Sequence, residues 1–109
     1  MAALHEMYDE AVKLKDEGKL DDAVAKLRDI LAIDNKYALA HSAMSIYLGK
    51  LNRHEEAIAH GLKVCELEPN DPRSFTSMSI VYVRAGNIQG AEDAKARAHM
   101  LAGTQQHGS

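Results

Sequence analysis

The sequence has few of the residues that cross-link, kink or fill a small protein. Its 109 residues include 1 Cys, 2 Pro and no Trp, and aromatic residues make up 5%. One cysteine excludes an internal disulfide framework, and so few prolines argue against a loop-rich chain. No apolar run reaches the roughly 18 residues of a membrane span, and the N-terminal stretch lacks the form of a signal peptide. We therefore expect a cytoplasmic protein without membrane insertion.

Charge argues against a second class of function. Lys and Arg total 13 against 16 for Asp and Glu, so the formal net charge is −3. Proteins that bind nucleic acids usually carry a basic excess or a basic stripe. The basic clusters here are only pairs, such as Lys13 with Lys15 and Lys95 with Arg97, which are typical of a solvated helix face. We therefore expect no nucleic-acid partner.

A spacing of 34 residues organises the chain. Three turn-forming residues at this interval each precede an alanine by five positions: Gly18, Asn52 and Gly86. Three helix-stopping residue types share the interval: Asn35, Pro69 and Gly103. The repetition predicts one domain, 1–109, made of the units 4–37, 38–71 and 72–105, with 106–109 as a tail. We expect disorder from Gly103 to Ser109.

Each unit carries two apolar stripes with helical spacing. In the first unit Met7, Ala11 and Leu14 recur every three or four residues before Gly18, and another stripe follows. Pro72 is well placed to begin a helix, because its missing N–H is not needed in the first turn. The pattern predicts six helices and no strand.

The repeated positions resemble those of the tetratricopeptide repeat (TPR), whose pattern is W-x2-L-G-x2-Y, then A-x3-F, then P. Its alanine position holds Ala23, Ala57 and Ala91. Its earlier small-residue position holds Ala11, Ser45 and Ser79, and its first aromatic position holds Met7, His41 and Phe75. The resemblance implies an all-α, right-handed superhelix (solenoid) of three helix–turn–helix units.

The last predicted helix differs from its counterparts. Glu92, Lys95 and His99 stand where the earlier units carry mostly apolar residues. The end of a solenoid needs a polar outer face. This pattern predicts that the stack ends with the third unit.

The resemblance also implies a binding site, because the first helix of each TPR unit lines a concave groove that binds peptides. The matching positions predict a groove formed by Tyr8, Val12, Leu39, Ser42, Ile46, Lys50, Arg73, Thr76, Ile80 and Arg84. Within it, Val12, Ile46 and Ile80 form an apolar line, and exposed apolar surface often marks a partner site. The alternative is that these side chains partly pack between neighbouring helices.

One TPR subtype grips a peptide's terminal carboxylate with Lys, Arg and Asn side chains. The matching positions here hold Tyr8, Val12, Ala43, Arg73 and Ser77. Only Arg73 is basic, so we expect no carboxylate clamp of that type.

Metal binding and catalysis find little support in the sequence. His54, His60 and Cys65 are six and five residues apart, which does not match the usual spacing of zinc ligands. We interpret Cys65 as a small core residue and the histidines as surface residues. No phosphate-binding or nucleophile motif occurs. We therefore expect no enzyme activity, no metal and no cofactor.

Two functions remain after these exclusions. The first is a non-catalytic adaptor that binds a peptide segment of a partner protein in the groove. The alternative is self-association, or docking within a larger assembly. It is motivated by the first helix, whose apolar residues have no preceding unit to cover them: Leu4, Met7, Ala11 and Leu14.

Overall fold

The computed structural model describes residues 2–107, with side chains for residues 3–103. Over this range the chain forms six helices and no strand, which confirms the predicted all-α fold. The helices are α1 (Ala2–Asp16), α2 (Leu20–Ile33), α3 (Ala38–Lys50), α4 (His54–Leu67), α5 (Pro72–Arg84) and α6 (Ile88–His107).

Three turns of one design join α1 to α2, α3 to α4 and α5 to α6. Each contains a left-handed residue, with φ of 80° at Gly18, 63° at Asn52 and 82° at Gly86. The N–H of the following residue donates to the carbonyl five residues back, at 2.9 Å in all three turns. This is the Schellman arrangement, which glycine adopts without strain and asparagine tolerates. The residues predicted to break the helices therefore do so.

The six helices stack in sequence. Within residues 2–107, each helix contacts only helices one or two places along the chain. Among the first helices of the pairs, α3 contacts both α1 and α5, whereas no two of the second helices α2, α4 and α6 contact each other within the described residues. The layer formed by α1, α3 and α5 is therefore the inner, concave side of the stack.

The core is centred on α3. The largest fully buried side chains are Leu27, Ile30, Met44, Leu48 and Met78. The residues at the alanine and small-residue positions of the repeat are also buried: Ala11, Ala23, Ser45, Ala57, Ser79 and Ala91. Small side chains let paired helices approach closely, and larger ones then interlock on either side.

Gly61 in α4 has a packing role that its counterpart Leu27 in α2 does not share. A Cβ on Gly61 would lie 2.6 Å from Met78 Sδ and 3.2 Å from Ser45 Oγ. The space filled by a leucine side chain in the first pair is therefore filled here by Met78, from the next pair. Lack of a side chain at Gly61 lets α5 approach α4 closely.

The predicted stop at Gly103 is wrong. Asn35 and Pro69 do follow the ends of α2 and α4, but α6 continues through Gly103 to His107. A glycine inside a helix costs only about 1 kcal/mol relative to alanine, so it does not by itself end a helix. The expected disordered tail is therefore helical over 103–107, whereas Gly108 and Ser109 lie outside the described residues.

Candidate functional site

The candidate site is the exposed face of the inner layer formed by α1, α3 and α5, which we call the groove. Leu39, Ile46 and Ile80 leave 51%, 38% and 53% of their surface exposed. Val83 is exposed beside Ile80, and Val12 on α1 is half-buried. Two of the three members of the predicted apolar line, Ile46 and Ile80, are thus accessible. The third, Val12, is partly covered, as the packing alternative expects.

The polar and aromatic residues predicted for the groove have varied environments. Tyr8 is half-buried and packs against the core, and Ser42 is half-buried. Thr76 is exposed, and its hydroxyl donates a hydrogen bond to the Pro72 carbonyl at 3.1 Å. Of these side chains, Thr76 is the most open to solvent.

An open trough of about 320 Å³ runs between the beginnings of α3 and α5. It brings together three of the predicted groove residues, Leu39, Ser42 and Arg73. The other lining residues are Ala38, Val64, Glu68, Asp71, Ser74 and Ser77. Sequence comparison between the repeats missed the acidic members, because they belong to the connection between α4 and α5 and not to a first helix.

Arg73 is held by Asp71 at one side of this trough. Its Nε and Nη2 donate to the two carboxylate oxygens, at 3.1 Å to Oδ1 and 2.8 Å to Oδ2. The Asp71 Oδ1 also accepts the backbone N–H of Arg73 at 2.9 Å and so caps α5. These hydrogen bonds lower the pKa of Asp71. Arg73, the predicted cation at this end of the groove, is therefore already paired with Asp71.

The opposite end of the groove holds the last residues of α3 and α5. Lys50 and Arg84 are both exposed, and neither forms an ion pair within the described part of the chain. The Arg84 Cδ lies 3.7 Å from the position that a Cβ on Gly49 would occupy, so this side chain lies against the end of α3. On α1, Lys15 Nζ is 2.7 Å from Asp16 Oδ1 and is neutralised locally.

A histidine pair inside the second helix pair was not anticipated. His41 Nδ1 lies 2.9 Å from His60 Nδ1, and His41 Nε2 lies 2.7 Å from the carbonyl oxygen of Asn35. A carbonyl can only accept, so Nε2–H of His41 donates to it; in the neutral pair, Nδ1 of His41 then accepts from His60. His41 is only 7% exposed. The interpretation of the histidines as surface residues is wrong here, although the match of His41 to an aromatic repeat position indicated burial.

No metal or membrane site emerges from the described residues. In the described part of the chain, no three His, Cys, Asp or Glu side chains are grouped so that they could hold a metal ion. Cys65 is buried, as predicted, and its thiol donates to the Ser74 carbonyl at 3.6 Å. Burial raises the pKa of this thiol. None of the helices described here is both long and apolar enough to cross a bilayer.

Solved structures show what this arrangement of helices is similar to. The second TPR of Spaghetti (RPAP3), bound to the HSP90 peptide SRMEEVD, superposes with a TM-score of 0.80. The match covers 90% of this chain and 91% of that one at 18% identity. The chain has the TPR fold.

Two further proteins share the TPR fold of this chain. PcrH in complex with the chaperone binding region of PopB superposes with a TM-score of 0.85 and 21% identity, covering 95% of this chain and 84% of that one. The translocator chaperone SycD of Yersinia enterocolitica superposes with a TM-score of 0.84 and 17% identity, covering 93% of this chain and 76% of that one. No protein-family model matches the chain. The comparison with curated proteins also finds no match.

Proposed function

We propose that this chain is a non-catalytic protein-interaction module that binds a peptide segment of a partner protein in its groove. The observation that carries the proposal is the exposure of Leu39, Ile46 and Ile80 on the inner layer. A folded domain gains stability by burying such aliphatic side chains, so a row left open on a concave surface favours a partner that covers it.

The structural relatives support the proposal by their bound partners. The RPAP3 domain is bound to an HSP90 peptide, and PcrH is in complex with a region of PopB. Both are folded like this chain, so a surface of this shape can hold a segment of another protein. We further propose three repeats, 4–37, 38–71 and 72–105, supported by the identical turns at Gly18, Asn52 and Gly86. A cytoplasmic location, without catalysis or cofactor, completes this proposal.

The test is selection of peptides from a random 12-residue library, followed by titration of the best peptides against variants. Ile46→Asp places a carboxylate in the middle of the apolar line, and we expect it to weaken binding at least tenfold. Ile88→Asp is the matched control, since Ile88 is exposed outside the groove, in the first turn of α6, where a carboxylate is tolerated. Equal binding by wild type and Ile46→Asp would disprove the groove proposal.

The second candidate is self-association, or docking within a larger assembly. SycD, which shares the fold, is described as an alternative dimer. The structure weakens the original argument for this candidate, because Leu4, Met7 and Leu14 of α1 pack against the core. Leu62 on α4 is a better candidate contact, with 47% of its surface exposed. Sedimentation velocity over a wide concentration range distinguishes the candidates, since a strict monomer rules out self-association.

A further inference from the structure

The two ends of the groove differ in charge. At the beginnings of α3 and α5, Asp71 neutralises Arg73, and Glu68 adds a further negative charge to the trough. At the ends of the same helices, Lys50 and Arg84 are cations without a carboxylate partner among the described residues. The charge of the groove therefore changes along its length, from neutral or acidic at one end to basic at the other.

The contacts show that both cations lie at the same end. The trough joins Leu39, near the start of α3, to Arg73, near the start of α5. The side chain of Arg84, the last residue of α5, lies against Gly49, the penultimate residue of α3. The two helices therefore run in the same direction, so that their last residues, Lys50 and Arg84, are neighbours.

Aliphatic side chains lie directly beside this basic end. Ile46 is one helical turn before Lys50, and Ile80 is one turn before Arg84, with Val83 between Ile80 and Arg84 in sequence. All three aliphatic side chains are exposed. A ligand that lies along the groove can thus contact apolar surface and the two cations together.

The charge of the chain narrows the choice of ligand. Its formal net charge is −3, so the basic end is a local feature on a protein that is acidic as a whole. Nucleic acids and anionic membranes interact over a wide surface and would be repelled by the remainder. A short protein segment can place one or two carboxylates at the basic end without facing the rest of the charge.

We infer that the partner segment carries aliphatic side chains that cover Ile46 and Ile80, flanked on one side by one or two Asp or Glu residues placed between Lys50 and Arg84. This inference rests on the proposed groove function and adds the chemistry of the ligand and the place of its acidic residues along the groove. The cations confer specificity and salt dependence, whereas the aliphatic contacts supply most of the affinity.

The experiment uses the best library peptide and a copy in which each Asp and Glu is replaced by Asn and Gln. The double variant Lys50→Glu/Arg84→Glu is compared with Lys36→Glu/Lys95→Glu, which changes the charge equally at exposed positions outside the groove. We expect the groove variant to bind the acidic peptide about tenfold more weakly at low salt. That loss should shrink near 0.5 M salt, because screening shortens the range of charge interactions.

Three outcomes are informative. If the groove variant loses affinity for the acidic peptide only, and the control variant for neither peptide, the inference holds. If Ile46→Asp abolishes binding but the groove variant binds the acidic peptide as wild type does, the inference is overturned and the groove function stands. If Ile46→Asp has no effect either, the proposed function itself fails. Urea denaturation of each variant separates loss of binding from loss of folding, since a basic residue in the last turn also stabilises a helix.

Discussion

Helices α3 and α6 differ in how much of their surface the rest of the solenoid buries. Helix α3 has 13 residues, and its buried members include Ala40, His41, Ala43, Met44, Ser45, Tyr47, Leu48 and Gly49. Helix α6 has 20 residues, and those buried in its described part are Ala91, Ala94 and Ala98. The longer helix therefore contributes much less buried apolar surface.

The difference follows from the number of neighbours. Helix α3 contacts α1, α2, α4 and α5, whereas α6 contacts α5 alone among the described helices. Each buried methylene contributes about 0.8 kcal/mol, so leucine and methionine in α3 contribute far more than alanine in α6. We therefore expect the centre of the stack to determine global stability and the last helix to open locally first.

The largest effect is expected for Leu48→Ala in α3. Leu48 is fully buried, and removal of such a side chain costs about 2–5 kcal/mol of unfolding free energy. Leu62→Ala is the matched control, since Leu62 is half exposed on α4. Its cost should be below about 1 kcal/mol. Urea denaturation measures both values, and similar costs at the two positions would contradict the central role of α3.

The next largest loss of stability is expected when a side chain is added at Gly61. Gly61→Leu installs in the second pair the side chain that the first pair holds at Leu27, but Met78 already occupies this space. We expect a loss of about 1–3 kcal/mol from overpacking. Gly103→Leu in α6 is the control, because a Cβ there would meet nothing within 4 Å. A stable Gly61→Leu variant would show that α4 and α5 can separate without cost.

A smaller loss of stability is expected when the pH is lowered. Burial, assisted by His41 and Arg28, lowers the pKa of His60 below its ordinary value of 6.5, whereas Glu56 opposes the shift. The unfolded chain then binds the proton more readily than the folded one. The stability contributed by neutral His60 is therefore complete above pH 6.5 and is lost as the pH falls from there through the lowered pKa.

Denaturation at pH 7.5 and at pH 5.5 checks this sign. The free energy of unfolding should fall on acidification in the wild type, and His60→Gln should reduce the slope. His99→Gln is the control, because His99 is exposed on α6 and lies outside the His41–His60 pair. A wild-type slope unchanged by His60→Gln would contradict this role of the pair.

The smallest change in stability is expected in α6, at Gly103. Gly103→Ala should stabilise α6 by up to about 1 kcal/mol, because glycine is the weaker helix former. Hydrogen exchange should slow in α6 and remain unchanged in α3. Equal slowing in both helices would mean that they unfold together, and the comparison between centre and end would fail.

The parts of the fold that depend on local chemistry were predictable from the sequence. A left-handed turn needs Gly or Asn, so Gly18, Asn52 and Gly86 indicated the three turns. Small residues at helix crossings recur for a similar steric reason. The prediction at Gly103 was wrong because it relied on the repeat interval alone. A helix ends only where a turn is more stable than another helical residue, and a single glycine does not ensure this.

The candidate site was less predictable, because contacts between residues distant in sequence determine it. The repeat positions of Ile46 and Ile80 predicted that they belong to the groove. They did not predict what fraction of each side chain the neighbouring helices would cover. Arg73 was predicted as a basic residue of the groove, but the prediction did not include its ion pair with Asp71, two positions earlier. The pairing of His41 with His60 depends on how α3 lies on α4, which no spacing within one helix reveals.

The charged outer face of α6 has a consequence for assembly. A molecule whose two ends fit each other in a head-to-tail contact grows into an open filament, unlike a symmetric pair, which closes on itself. Glu92, Lys95 and His99 are exposed on α6, so this face presents polar and charged groups in place of an apolar surface. Head-to-tail stacking of a second copy through this face would bury charged side chains, which is unfavourable unless they find partners.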